Sequence, residues 1–111
     1  DLPTARFNYV ELSVAETGPS RLFYEQAFGW AFTDYGPGYS ATTSDDTDLG
    51  LDAERSAPPL PVIESDDVDA SRAAVLGAGG VLTRETYEFP GGRRFEFTDP
   101  DGNELAVWQR G

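Results

Sequence analysis

At 111 residues, 39% of them hydrophobic and 13% aromatic, the chain is long enough for one domain with a real core and too apolar for a disordered segment. Twenty acidic residues against eight basic ones leave a formal net charge of −12, which repels nucleic-acid phosphates and anionic membrane surfaces and so excludes both as partners. With no cysteine and no histidine, a disulfide framework, thiolate metal sites, a cysteine nucleophile and the commonest general base and zinc ligand are excluded as well.

No stretch approaches the roughly 20 apolar residues of a membrane span, and the opening "DLPTARFNYV" lacks the order of a signal peptide. The expectation is a cytoplasmic protein. Along the chain, "RFNYVELSV" (6–14) alternates: Phe7 is out of step, but Val10, Leu12 and Val14 share one face and Tyr9, Glu11 and Ser13 the other. "ETGPSRLFYEQAFG" (16–29) follows, with Pro19 in the first turn, Leu22, Phe23 and Ala27 at helical spacing and Gly29 as a stop, which predicts a short amphipathic helix. "WAFTDYG", "GYSATTS" and "DLGLDAE" then read as strands broken by "GPG" and "SDDTD". The order is β-α-β-β-β.

The second half repeats it. "PLPVIES" (59–65) is a strand, Asp66 and Asp67 are capping candidates for a helix through "VDASRAAVLG", and "GVLTRETYEF", "RRFEFTD" and "NELAVWQ" are three more strands. Placing Ser20-Arg21 on Ser71-Arg72 requires a shift of 51 positions, which also carries Leu12 to Ile63 and Gly29 to Gly80. The fold class predicted is α+β: one domain over 1–111, in which two β-α-β-β-β modules (about 6–53 and 60–110, connected by about 54–59) form curved mixed sheets around a cleft, with helices on the outer face.

The run "VELSV" followed by "RLFYEQAFGW", then "DDVDA" and "FTDPDGNELAVWQ", resembles the vicinal oxygen chelate superfamily of glyoxalase I, extradiol dioxygenases and bleomycin-resistance proteins, over nearly the whole chain. The resemblance implies a divalent metal held by histidine and glutamate from the first strand of each module and from the last strand or strands. Mapped onto this chain, those positions are Tyr9, Leu60 and Ala106; a fourth, near "LGLDAE", has no secure register. Tyrosine is a poor ligand at neutral pH, and leucine and alanine are none. The expectation is therefore a protein without metal or other cofactor, with one alternative: Glu11, Glu64 and Glu104, two strand positions away or nearby, could rebuild an all-oxygen site for Mg²⁺ or Ca²⁺, or serve as catalytic bases of a lyase, isomerase or dioxygenase-like enzyme.

The predicted ligand-binding set is Tyr9, Glu11, Ser13, Val62, Glu64, Glu104, Ala106 and Trp108, with Arg94 as a possible clamp for a carboxylate. Carboxylates beside aromatic rings suit a cationic or aromatic small molecule, sequestered without chemistry as bleomycin-resistance proteins do. The partners expected are that small molecule and a second copy of the chain in a homodimer. "GAGGV" (77–81) follows a helix and reads as its C-terminal cap rather than a phosphate loop. "SDDTD" (44–48) is acidic like a calcium loop, lacks the remaining ligand spacing, and reads as a solvated hairpin.

Overall fold

Two helices and eight strands make an α+β fold of two β-α-β-β-β modules, seen in a computed structural model that describes residues 1–43 and 47–111. The elements are β1 (Ala5–Ser13), α1 (Thr17–Phe28), β2 (Phe32–Asp34), β3 (Tyr39–Thr42), β4 (Leu49–Asp52), β5 (Leu60–Ser65), α2 (Val68–Gly77), β6 (Val81–Phe89), β7 (Gly92–Thr98) and β8 (Glu104–Arg110). Every predicted element is present. The centre of "SDDTD", residues 44–46, lies outside the described residues.

Local chemistry explains the boundaries. Gly29 ends α1 in the left-handed conformation at φ 75°, its N–H donating to the Glu25 carbonyl, where a side chain would be strained. At α2 the Asp67 carboxylate accepts from the Ala70 N–H at 3.0 Å, and the Gln109 side-chain oxygen accepts from Val68 N–H at 2.8 Å, satisfying two donors that a helix start leaves open. The glycines of "GAGGV" close the same helix, with Gly80 N–H donating to the Val75 carbonyl. In "DPDGN", Asp99 accepts from the backbone N–H of Asp101 and Asn103 and from the Asn103 amide; these bonds hold its carboxyl below the usual aspartate range and tie the turn between β7 and β8.

The chain divides into two compact units, Tyr9–Leu60 and Asp1–Asn8 with Pro61–Gly111, called here the α1 unit and the α2 unit. In the α2 unit, β5 runs parallel to β8, and β8, β7 and β6 are antiparallel neighbours. Phe95 and Phe97 of β7 and Val107 of β8 pack with Val68 of α2, backed by Ile63, Val75, Leu82 and Leu105. This is a sheet face sealed by a helix, as alternation requires.

In the α1 unit, β1 runs parallel to β4, and β4, β3 and β2 are antiparallel neighbours. Leu49 and Leu51 of β4 are buried. The helix departs from expectation: α1 has no buried residue, and Leu22 and Phe23 stand 52% and 58% exposed. Its rings stack on Trp30 just past its end instead, Tyr24 at 5.8 Å and Phe28 at 4.9 Å between centroids. In β1 the polar face is the more enclosed one, since Glu11 is 6% exposed and Val10 42%.

Candidate functional site

Strand β1 carries Tyr9 and Glu11 on one face of the α1 unit. Tyr39, the first residue of β3, reaches the same place: its hydroxyl donates to a Glu11 carboxylate oxygen at 2.9 Å and lies 2.6 Å from the Tyr9 hydroxyl. Burial first, then the neighbouring Tyr9 and Glu11, push the Tyr39 phenol well above its ordinary range, so it stays protonated. Gly50, opposite Glu11 in the β1–β4 pairing, makes room for this. A Cβ there would stand 2.1 Å from the Tyr39 hydroxyl and 2.2 Å from that of Tyr9. Ser13, predicted to line a ligand site, accepts from the Ala57 N–H at 3.2 Å and anchors the loop before β5.

On the α2 unit, the sheet face away from α2 holds the other candidates. Val62 pairs with Ala106 and Glu64 with Trp108, while Glu96 pairs with Ala106 and Arg94 with Trp108, so all six share one face. Tyr87 of β6 is opposite Arg94. The result is a row across three strands, Tyr87, Arg94 and Trp108, with the Phe89 ring 6.5 Å from Tyr87 and 6.3 Å from Trp108. Arg94 donates to Glu96 at 3.0 Å, and Tyr87 donates to the same carboxylate at 3.3 Å.

Its carboxylates are engaged rather than bare. Glu64 accepts from the Asn8 amide at 2.7 Å and from Arg110 at 3.2 Å, and Asn8 in turn accepts from the Trp108 indole N–H at 3.1 Å. Glu104, the first residue of β8, is half-buried and also has a partner. Guanidinium groups sit over the rings: Arg84 lies 3.6 Å from the Tyr87 centroid and Arg110 lies 4.8 Å from that of Trp108. The acidic, ring-lined surface expected from sequence is thus a charge-balanced one on this unit.

Strand pairing supplies the fourth of the positions at which the resemblance implies a ligand. The shift that carries Glu11 to Val62 places the Glu11–Gly50 pair on the Val62–Ala106 pair, making Gly50 the counterpart of Ala106. The four residues are then Tyr9, Gly50, Leu60 and Ala106; three offer no donor atom, and the Tyr9 hydroxyl is tied to Tyr39. This set does not fit a divalent metal. Among the described residues, no three or more histidine, cysteine, aspartate or glutamate side chains are grouped to hold an ion. No described helix is long and apolar enough to cross a membrane.

Several residues of these clusters escaped the sequence reading. Tyr39 and Glu96 lie in strands whose alternation was legible, "GYSATTS" and "RRFEFTD"; the Arg94-x-Glu96 spacing was a usable signal that the two share a face. Gly50 carries no local signal, since its role comes from two rings on other strands.

The family model described as Glyoxalase/Bleomycin resistance protein/Dioxygenase superfamily matches residues 6–107. A protein of Mycobacterium bovis named "Putative glyoxylase CFP32" is 29% identical over 92% of this chain, and the chain spans 44% of that relative's length. Among solved structures, the Mn(II)-bound glyoxalase from Novosphingobium aromaticivorans superposes with a TM-score of 0.75 at 24% identity, covering 97% of this chain and 40% of that one. An extradiol ring-cleaving dioxygenase from B. fuscum gives 0.77 at 21%, over 98% of this chain and 34% of that one. A superfamily member from Vibrio splendidus gives 0.71 at 18%, over 97% of this chain and the whole of the other.

Proposed function

Because the chain belongs to the Glyoxalase/Bleomycin resistance protein/Dioxygenase superfamily, we propose that it is a small-molecule-binding member that works without a divalent metal and takes an aromatic ligand. The observation that carries this reading is the Tyr87–Arg94–Trp108 row with Phe89 beside it. Rings on β6 and β8, the two strands that flank β7, offer stacking surface, and the Arg94 guanidinium lies between them. Of the two ligand classes suggested by the sequence, the aromatic one is favoured over the cationic one. The Tyr87 and Trp108 rings already carry guanidinium groups, so a further cation there would meet like charge. The emptied ligand positions support metal independence, and the engaged state of Glu64 and Glu104 supports binding over base catalysis.

The test uses Trp108 as reporter in a Trp30→Phe background, titrated with neutral, anionic and cationic aromatic compounds. The expected result is saturable quenching by members of the panel and roughly tenfold weaker binding in Trp108→Ala, the loss of one good stacking contact. No binding across the panel would overturn the reading, as would a stoichiometric divalent metal in protein purified without chelator. The same reading includes a homodimer, for which light scattering should give about twice 12.1 kDa at moderate salt, where screening weakens the self-repulsion of a −12 chain.

A further inference from the structure

Helix α1 is built the opposite way round to α2. On α2 the apolar Val68 enters the core, while the charged Asp69 and Arg72 pair outside it with Arg93 and Glu85. On α1 the only charged residues are Arg21 and Glu25. Both are half-buried, 3.7 Å from one another, and Arg21 reaches Asp34 of β2 at 2.6 Å. The other side of α1 is exposed along its length and carries no charge. It consists of two rows of residues four apart, Gly18, Leu22 and Gln26 beside Pro19, Phe23 and Ala27, in a strip about 14 Å long at the rise of a helix. Leu22 and Phe23 are each more than half exposed. A helix that faces water carries its charge on the water side; here the charge is turned inward and the apolar side chains outward.

Charge decides which partner fits. A basic protein or peptide would be drawn to the carboxylates that dominate this chain, not to a strip that has none, and an anionic membrane is repelled by the net charge of −12. A second copy carries the same strip. Two strips can meet across a two-fold axis with no carboxylate desolvated at their centre, which is the costly event when acidic surfaces associate. We propose that two copies of the chain associate through this face of α1, Leu22 and Phe23 of one protomer packing on those of its partner, with Gly18 and Ala27 small enough to let the helices approach closely. The proposal rests on the homodimer reading given above and adds the surface that forms it. Area sets its strength: a strip of this length falls short of the ~800 Å² that each partner gives to a stable interface, so the dimer is weak and concentration-dependent. It tightens with salt, because the Debye length shrinks from about 10 Å at 0.1 M to about 3 Å at 1 M and the repulsion between two −12 chains is screened.

Sedimentation velocity over a range of protein concentrations, in low and in high sodium chloride, tests this. Native protein is expected to move from 12.1 kDa toward about twice that mass as concentration rises, and to do so at lower concentration in high salt. Phe23→Glu should weaken association about tenfold or more, since a charge then faces its own copy. Val81→Glu, which adds the same charge at an exposed residue of the α2 unit, should leave association unchanged. Because the face meets itself, an equimolar mixture of Phe23→Glu and Phe23→Lys should associate more tightly than either variant alone. Retained association in Phe23→Glu, an equal loss in Val81→Glu, or a mixture no tighter than its components would overturn the proposal and leave the homodimer reading standing. Native protein that stays monomeric at every concentration and salt would overturn both, leaving the strip to a different partner and the ligand reading untouched. Folding is checked by circular dichroism. If Phe23→Glu does not fold, Gln26→Glu, an isosteric change on the same exposed strip, must weaken association; undiminished association there would count against the proposal.

Discussion

The two units share one order of elements and solve burial differently. In the α2 unit the helix seals an apolar sheet face, and Phe95 is wholly buried against Val68, Phe97 and Val107. In the α1 unit the helix buries no residue fully, its aromatic side chains stack among themselves and on Trp30, and the best enclosed face of β1 is the polar one, organised by Tyr39 around Glu11. A repeated topology therefore does not repeat its energetics. One unit rests on apolar area removed from water, the other relies in part on a hydrogen-bonded cluster whose groups must all be satisfied.

Substitutions should separate the two modes. The largest effect is expected for Phe95→Ala, which removes a fully buried ring and should cost about 3–5 kcal/mol in urea unfolding. Phe28→Ala, at a ring 60% exposed, should cost no more than about 1 kcal/mol; comparable losses at the two positions would erase the contrast. Next comes Gly50→Ala, which forces the Tyr9 and Tyr39 hydroxyls apart and should cost about 1–3 kcal/mol by overpacking.

Tyr39→Phe should cost about 1–3 kcal/mol by depriving the buried Glu11 carboxylate of a donor. Its pH signature has a definite sign. The folded phenol titrates above the unfolded one, so the stabilisation is fully present below the ordinary tyrosine value of about 10 and is lost progressively as pH rises beyond it. Native protein should therefore lose stability above pH 10 more steeply than the variant does.

The smallest effect concerns the α2 unit's surface. Two hydrogen bonds from Arg72, and then the Thr86 N–H, pull Glu85 down to about 2. That depressed value contributes stability above the unfolded value of 4.5, lost as pH falls toward 2. Arg72→Ala should flatten the acid limb of the stability curve slightly in that window, because the pair is exposed and screened by solvent. No change in the acid limb would show that the pair adds nothing to folding.

Much of this was legible in local patterns. Period-two alternation marked β1 and β5 through β8, "DD" before "VDASRAAV" marked the start of α2, and Gly29 marked the end of α1, because backbone preference and capping are settled by neighbours in the chain. The positions at which the resemblance implies ligands, Tyr9, Leu60 and Ala106, could be counted from nearby landmarks for the same reason. Leu22 and Phe23 misled because helical spacing reports that a face is apolar, not that anything covers it.

What composition and order settle is which residue types can never act here: with no histidine or cysteine, and with leucine and alanine at two of the positions at which the resemblance implies a ligand, no fold can restore that donor set from those side chains. Which residues do act together depends on strand register. Tyr39 meets Glu11 across 28 positions of sequence, Trp108 meets Asn8 across 100, and Arg94 faces Trp108 through pairing alone. Register is a long-range quantity, set by the packing of whole sheets, and a slip of one residue would send each of these side chains to the opposite face.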